Sequence, residues 1–396
     1  MRKKVQLQYM VIQKVMLRTS KIYIFLIFIL TQTSNQQKKT PNKKREIFEE
    51  TKLKNLKLTN RLFRGSIGDY CAFKDGHLTE DYLSLYENLS SEGVGTIFTG
   101  FTMVSDYGKY ENSGNFRIDS DSYIEEYKKL TSLVHKNNVN IIMQLAHCGA
   151  QTTISNIETI YSPSQIISPF NNKTTKEMTK EDIIRIEDDF LKGAIRAKKS
   201  GFDGIEIHAA HLYLLSQFLS PAFNKRTDEY GGSDENRARI IIEIIEKIRK
   251  VVGNDFIISL KINSDDGIKN GISKEGFLLT CQLAEKAGVD IIQVSGMDWV
   301  KSKERKPFFF ESAKKLADIV NIPVLLIGGI RDVESIYYVL NNSNIEYVAL
   351  GRPLICEPDL VKRWKRGIMD KAKCVSCNTC LREFSKCVFH KNKVLK

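Results

Sequence analysis

From residue 46 onward the apolar positions fall into two alternating kinds of run. The first kind is short, rich in Ile and Val, and bounded by Gly, Asn or Asp; such runs cover 61–66, 95–99, 140–146 and 204–208. Four more follow at 256–262, 290–294, 323–327 and 347–350. They are nearly continuous rather than alternating, which predicts strands buried on both faces. The second kind has helical period. Residues 182–200 place Ile183, Ile186, Phe190 and Ala194 on one face, and 235–252 repeats Ile and Val at three- and four-residue spacing between charges. Shorter helices are predicted at 275–287, 311–320 and 333–340. Ser233, just before Asp234 and Glu235, is a predicted N-cap: its hydroxyl accepts an orphan N–H while the acids face the helix dipole.

Eight buried strands alternating with helices within about 310 residues are the count and length of an α/β fold of the (β/α)8 TIM-barrel type. A doubly wound open sheet alternates in the same way. No strand here is followed by Gly-x-Gly-x-x-Gly, the turn by which that fold holds a dinucleotide, so the barrel is the expected fold.

Composition adds little until it is divided along the chain. The 396 residues carry 60 Lys/Arg and 47 Asp/Glu, a net +13. Residues 1–45 hold 11 basic side chains and no acid, and residues 360–396 hold 11 basic and 2 acidic. The body between them holds 38 basic and 45 acidic side chains, so it is mildly acidic. A folded nucleic-acid reader would carry its positive stripe on the domain itself, and no nucleic-acid partner is expected. The apolar run 22–30 is too short to span a bilayer, which takes about 20 residues. With the basic residues before it, that run resembles a signal peptide, but no small-x-small cleavage site follows. Residues 1–45 are read as a basic leader outside the fold, and a cytoplasmic location is expected, with secretion as the alternative.

In a barrel the chemistry sits where strands end. Strand 3 ends in Gln144-Leu145-Ala146-His147, and strand 4 in His208, followed by His211 and Tyr213. Strand 5 carries Lys261, strand 7 ends in Gly328-Gly329, and strand 8 in Gly351-Arg352. The two glycine-marked ends, with the forked donor of Arg352, suit a ligand phosphate; a plain tight turn is the alternative for the Gly pair. Two imidazoles on one strand end can donate to a single oxygen and stabilise charge there, and a Tyr hydroxyl can deliver a proton nearby. His-x-x-His can also ligate zinc, but strands 5 to 8 offer Lys261, Ser295, Gly329 and Arg352, none a natural third ligand. Lys261 is a cation in an apolar strand and must face an acceptor or an acid.

These residues resemble the Old Yellow Enzyme family of FMN-dependent ene-reductases. The resemblance rests on Gln-Leu-x-His-x-Gly at 144–149 and Gly-Phe-Asp-Gly-Ile-Glu-Ile-His-Ala-Ala-His-Leu-Tyr at 201–213. It rests also on Leu-Ser-Pro at 219–221 and the run from Asn224 through Arg226, Asp228 and Gly231-Gly232 to Arg237. Asn60-Arg61, Gly93-Val94-Gly95 and Gly351-Arg352-Pro353-Leu354 fall in matching places, so it covers about 46–370. It implies FMN at the barrel mouth, with Ser66, Ile67 and Gly100 lining the ring system and Gln144 bonding the pyrimidine. Lys261 would tune the N1/C2=O edge, and Gly328, Gly329, Gly351 and Arg352 would hold the phosphate. It implies that His208 and His211 bind the carbonyl oxygen of an enone or enoyl substrate, Tyr213 protonates the α-carbon, and NAD(P)H is the reductant. An FMN-dependent amine dehydrogenase of the trimethylamine type and a non-flavin metal-dependent hydrolase are the rival readings.

The chain also departs from the family pattern. Leu212 stands where many relatives have Gly, Ala150 where Arg often follows, and Gly68 where some place a thiol. After the barrel, Cys374, Cys377, Cys380 and Cys387 form C-x2-C-x2-C-x6-C in a Cys-rich tail over 371–396. Free thiols are the leading reading of this tail, with a 4Fe–4S cluster and then zinc as the alternatives that four clustered thiols suit. The larger relatives resembling 2,4-dienoyl-CoA reductase carry 4Fe–4S at this place. The oligomeric state is left open, with a homo-oligomer as one reading.

Overall fold

The computed structural model describes residues 44–110, 114–154, 159–297, 307–381 and 387. The leader predicted over 1–45 therefore falls almost wholly outside the described residues. The compact unit begins at Arg45, whose guanidinium donates to the carbonyls of Leu340, Ser343 and Ile345 at 2.8–3.2 Å.

Eight parallel strands close a barrel: β1 (Leu62–Arg64), β2 (Thr96–Met103), β3 (Asn140–Ala146), β4 (Gly204–Ala209), β5 (Ile257–Asn263), β6 (Ile291–Ser295), β7 (Val324–Ile327) and β8 (Tyr347–Leu350). Each pairs with its sequence neighbour, and β8 pairs with β1 to complete the ring. The helices packed outside are α1 (Glu80–Ser91), α2 (Ile124–His135), α3 (Lys180–Lys199), α4 (Asp234–Val252), α5 (Lys274–Ala287), α6 (Phe310–Ile319), α7 (Val333–Asn341) and α8 (Leu360–Lys365). All eight predicted strands are present within a few residues. Ser233 caps α4, accepting the N–H of Asn236 at 3.2 Å.

Three of these helices, α1, α2 and the short α8, were not foreseen. In α1 the buried stripe is Tyr82, Tyr86 and Leu89, and in α2 it is Tyr127, Leu130 and Val134. Both faces lean on tyrosine, which an aliphatic pattern search passes over.

A short antiparallel hairpin, Thr51–Leu53 with Leu56–Leu58, plugs the lower end. Its Leu53 and Leu58 join Phe63, Phe98, Ile142, Ile257, Ile291, Leu325 and Tyr347 in one apolar cluster inside the barrel. Apolar filling of the lower barrel excludes water, so ligands can enter only from the mouth, where the strands end. Among the described residues no helix is long and apolar enough to cross a membrane.

Candidate active site

Above the apolar plug the barrel interior turns polar. Glu206 on β4 is fully buried and accepts from Ser66 at 2.8 Å and Gln144 at 2.7 Å on one oxygen. Its other oxygen accepts from Gln293 at 3.0 Å and Ser259 at 3.3 Å. Burial pushes this carboxyl up, opposed by the nearby charge of Lys261. Lys261, 2% exposed, donates to the Ser66 hydroxyl at 3.0 Å and the Ser66 carbonyl at 3.2 Å. Burial pushes its ammonium down to about 8, with Glu206 opposing the shift. The acid that Lys261 was expected to face is Glu206, on the strand beside it.

The loop after β1 is set by a second buried group. Arg64 pairs with Asp69 and donates to the Phe98 carbonyl at 2.7 Å. Asp69 also accepts from Tyr86 at 2.8 Å and from the Gly100 N–H at 3.1 Å. Gly100 therefore sits within β2, where the register shifts, and not after the strand. A Cβ on it would come within 2.6 Å of Asp69 Oδ2 and 2.7 Å of the Ile67 carbonyl. Phe101, its neighbour, takes the place at the cavity wall that was expected of Gly100. At Gly68 a Cβ would fall 2.5 Å from the Tyr70 ring and 2.7 Å from Phe101, so aromatic packing leaves no room for a thiol there.

At the end of β4 the rings of His208 and His211 lie 5.1 Å apart, and those of His208 and Tyr213 lie 4.8 Å apart. The Ala210 N–H points at His208 Nδ1 at 3.4 Å, which leaves the ring proton on Nε2 as a donor. His211 Nε2 meets the Ser295 hydroxyl at 2.9 Å. Burial, reinforced by the charge of Lys261, holds both imidazoles well below their ordinary range. They are neutral donors. The Tyr213 phenol is pushed up by burial and stays protonated.

This geometry depends on an unusual backbone. His211 and Leu212 both have left-handed φ, +60° and +56°. For a side chain such as Leu that conformation costs roughly 1–2 kcal/mol, against about 1.5–3 kcal/mol from burying it. Leu212 is 3% exposed and shares an apolar cluster with Ala150 and Phe223. The two departures from the family pattern thus pack together. Gln151 donates to the carbonyls of His211 and Leu212, each at 2.8 Å, and Gln217 donates to the Leu212 carbonyl at 2.7 Å.

The barrel mouth holds one cavity of about 330 Å³. Ser66, Ile67, Gln144, Lys261, His208, His211, Tyr213, Gly328, Gly329, Gly351 and Arg352 all line it. Gly328 and Gly329 have φ of +116° and +76°, which a side chain would strain. The sequence reading missed Arg331 and Ser376, which line the same end as Arg352. Arg331 donates to Ser376, and Arg352 to Asn378. The signal for Arg331 was present, four residues beyond β7, but Ser376 comes from the tail and only folding brings it there. Two guanidiniums beside backbone turns that a side chain would strain fit a phosphate. A cavity lined by Ile67, Gln144, Lys261, His208 and His211 joins apolar contact to polar edge groups, which fits a flavin. The residues present therefore fit FMN.

The cysteine tail packs on the barrel: Ala372 N–H donates to the Arg331 carbonyl at 2.8 Å, and the Trp364 indole to the Asp370 carbonyl at 3.0 Å. Cys374, Cys377, Cys380 and Cys387 line one small pocket with Cys356 and Arg352. Among the described residues no three His, Cys, Asp or Glu side chains are drawn together as metal ligands.

The run most specific to the family does not touch the cavity. Asn224 donates to the carbonyls of Phe218 and Tyr230, each at 2.8 Å, and Arg226 to those of Pro163 and Met178 at 2.9 and 2.6 Å. It ties the long connection after β4 to the one after β3.

A closed parallel barrel with phosphate-fitting turns after β7 and β8, and a His pair after β4, defines a flavin-binding barrel. The chain belongs to the NADH:flavin oxidoreductase / NADH oxidase family, whose model matches residues 46–371. It is 34% identical over 343 residues to an NADH oxidase from Thermoanaerobacter brockii, covering 84% of this chain and 52% of that protein. It is 32% identical to an NADPH dehydrogenase from Clostridium acetobutylicum, covering 80% of this chain and 93% of that protein. The structure of an old yellow enzyme homologue from Zymomonas mobilis shares the fold, with a TM-score of 0.74 at 22% identity over 87% of this chain and 97% of that one. The chain spans about half the length of the first curated relatives it matches.

Proposed function

We propose that the protein is an FMN-dependent oxidoreductase that passes hydride from NAD(P)H to a C=C bond conjugated to a carbonyl. The observation that carries this reading is the cavity's charge pattern. Its described lining holds three cations and two neutral imidazole donors but no Asp or Glu. Such a wall favours an oxygen that gains negative charge in the transition state. It disfavours the ammonium of an amine substrate, and it gives the His pair no carboxylate with which to share a metal.

Bound FMN would supply the hydride, taken from NAD(P)H and delivered to the substrate's β-carbon. The chain's own residues do the rest. Ser66, Ile67, Gln144 and Lys261 would hold the ring system, and Gly328, Gly329, Gly351 and Arg352 the phosphate. His208 and His211 donate to the carbonyl oxygen and draw charge onto it. Tyr213 gives its proton to the α-carbon. Tyr70, Phe101 and Phe309 wall the cavity with rings and keep water from the reacting atoms.

The test is anaerobic. Protein loaded with FMN and bleached by NAD(P)H should regain its yellow colour when cyclohex-2-enone is added. If trimethylamine bleaches the oxidised protein and the enone leaves the reduced protein unchanged, the amine reading replaces this one. Iron and zinc analysis of the same anaerobic preparation decides between a cluster, zinc and free thiols for the four tail cysteines.

Lys261 adds a pH dependence. Its folded pKa lies near 8, below the usual lysine value, so the charge is present below that pH and is lost as pH rises through it. Turnover should fall along an alkaline limb centred near pH 8. Lys261→Arg, which keeps its charge throughout, should move that limb upward by more than one unit. Superimposable pH–rate profiles for the two proteins would remove Lys261 from the chemistry.

A further inference from the structure

Protonating carbon leaves Tyr213 as a phenolate, and its surroundings oppose that charge. Tyr213 is 8% exposed, and its oxygen is faced by Tyr70, Tyr110 and Cys148, with the His208 ring beside it. None of these is a cation. A bare tyrosinate here would be costly unless a proton arrived as one left.

Of the three groups facing Tyr213, one is placed to deliver that proton from outside. Cys148 is fully buried, with its sulfur against Met103 Sδ at 3.9 Å, and burial pushes its thiol up. Tyr70 is part of the cavity wall, on the substrate's side. Tyr110 is neither. It is only partly buried, stands outside the cavity lining, and has its hydroxyl 3.3 Å from that of Tyr213. The same hydroxyl lies 2.8 Å from Gln151 Oε1, so its single proton turns between the two oxygens. Gln151 is itself fixed by the bonds it donates to the carbonyls of His211 and Leu212. The left-handed turn that aims Tyr213 at the cavity is thereby tied to the residue that holds Tyr110 beside it.

We propose that Tyr110 is a further catalytic residue, giving a proton to Tyr213 as Tyr213 gives its own to the substrate. The inference rests on the reading of Tyr213 as the donor. The steps balance. The Tyr213 O–H bond breaks as the α-carbon C–H bond forms, and the Tyr110 O–H bond breaks as a new Tyr213 O–H bond forms. The electron pair is left on the Tyr110 oxygen, which takes a proton from water. Burial pushes the Tyr110 phenol up as well, so the charge does not rest there but is quenched by water as the proton leaves, and a coupled transfer of this kind has two protons in flight.

Stopped-flow measurements on the full chain loaded with FMN test this, with cyclohex-2-enone as the oxidant. Tyr110→Phe keeps the ring and removes only the hydroxyl. It should leave reduction by NAD(P)H unchanged and slow reoxidation by the enone at least about tenfold, toward the lower range for a lost proton donor. Rates across mixtures of H2O and D2O should trace a curve for the parent protein and a straight line for Tyr110→Phe. A merely structural role would slow the reaction without straightening that plot. If Tyr213→Phe is slow but Tyr110→Phe matches the parent rate, or keeps the parent's curvature, Tyr110 has no part in the transfer. If Tyr213→Phe itself reoxidises at the parent rate, the donor assignment falls instead.

Discussion

Tyr213→Phe is expected to slow reoxidation by an enone by about 10²–10⁴-fold, the usual contribution of a positioned general acid. Reduction by NAD(P)H should be unaffected, because no proton passes through the phenol in that half of the cycle. The substitution is clean for a structural reason. A phenylalanine ring keeps the contacts with His208 at 4.8 Å, Phe101 at 5.6 Å and Tyr110 at 6.2 Å, so only the hydroxyl is lost. Burial holds the phenol protonated well beyond neutral pH, so the acid form is fully available to the parent enzyme. Products formed in D2O give an independent readout. The parent should place deuterium on one face of the α-carbon, and the variant, protonated by solvent, on both.

Removing the imidazole pair should cost as much by a different route. His208→Ala with His211→Ala takes away the donors to the carbonyl oxygen, and one such donor typically contributes about 10²–10³-fold. The loss should appear in kcat/KM for cyclohex-2-enone and as weaker binding of a phenol, while FMN remains bound. The two effects should not add, since one remaining donor still holds the oxygen. His208→Gln, which keeps an N–H, should recover part of the loss, whereas a packing role would be restored by size alone. Because burial keeps both rings neutral, kcat/KM of the parent should show no limb in the ordinary imidazole range. A limb there that disappears in the double variant would show that the charged form is the working one.

How much of this was legible before folding varies by residue. The strand ends were: His208, His211, Lys261, Gly328 and Arg352 are each local features of a buried run and the turn after it. Gly100 was misplaced by the bulge in β2, which no local pattern announces. Helices α1 and α2 were passed over because their buried faces are built on tyrosine. The long motif from Asn224 to Arg237 identified the family yet is structural, tying loops together rather than meeting a ligand.

By itself the sequence decided the alternation of strands and helices, and with it the barrel and the residues at its mouth. Periodicity and strand ends are local properties, written within a few residues. Closure of the ring decided the partnerships. Ser66 and Lys261 bond across 195 positions, Gln144 and Glu206 across 62, and Tyr110 and Tyr213 across 103. The strain at His211 and Leu212 likewise has meaning only beside Gln151 and Gln217, which hold it. A linear chain records what each residue can do. Which groups share a low-dielectric interior, and so shift one another's charge and proton affinity, is set only when the last strand meets the first.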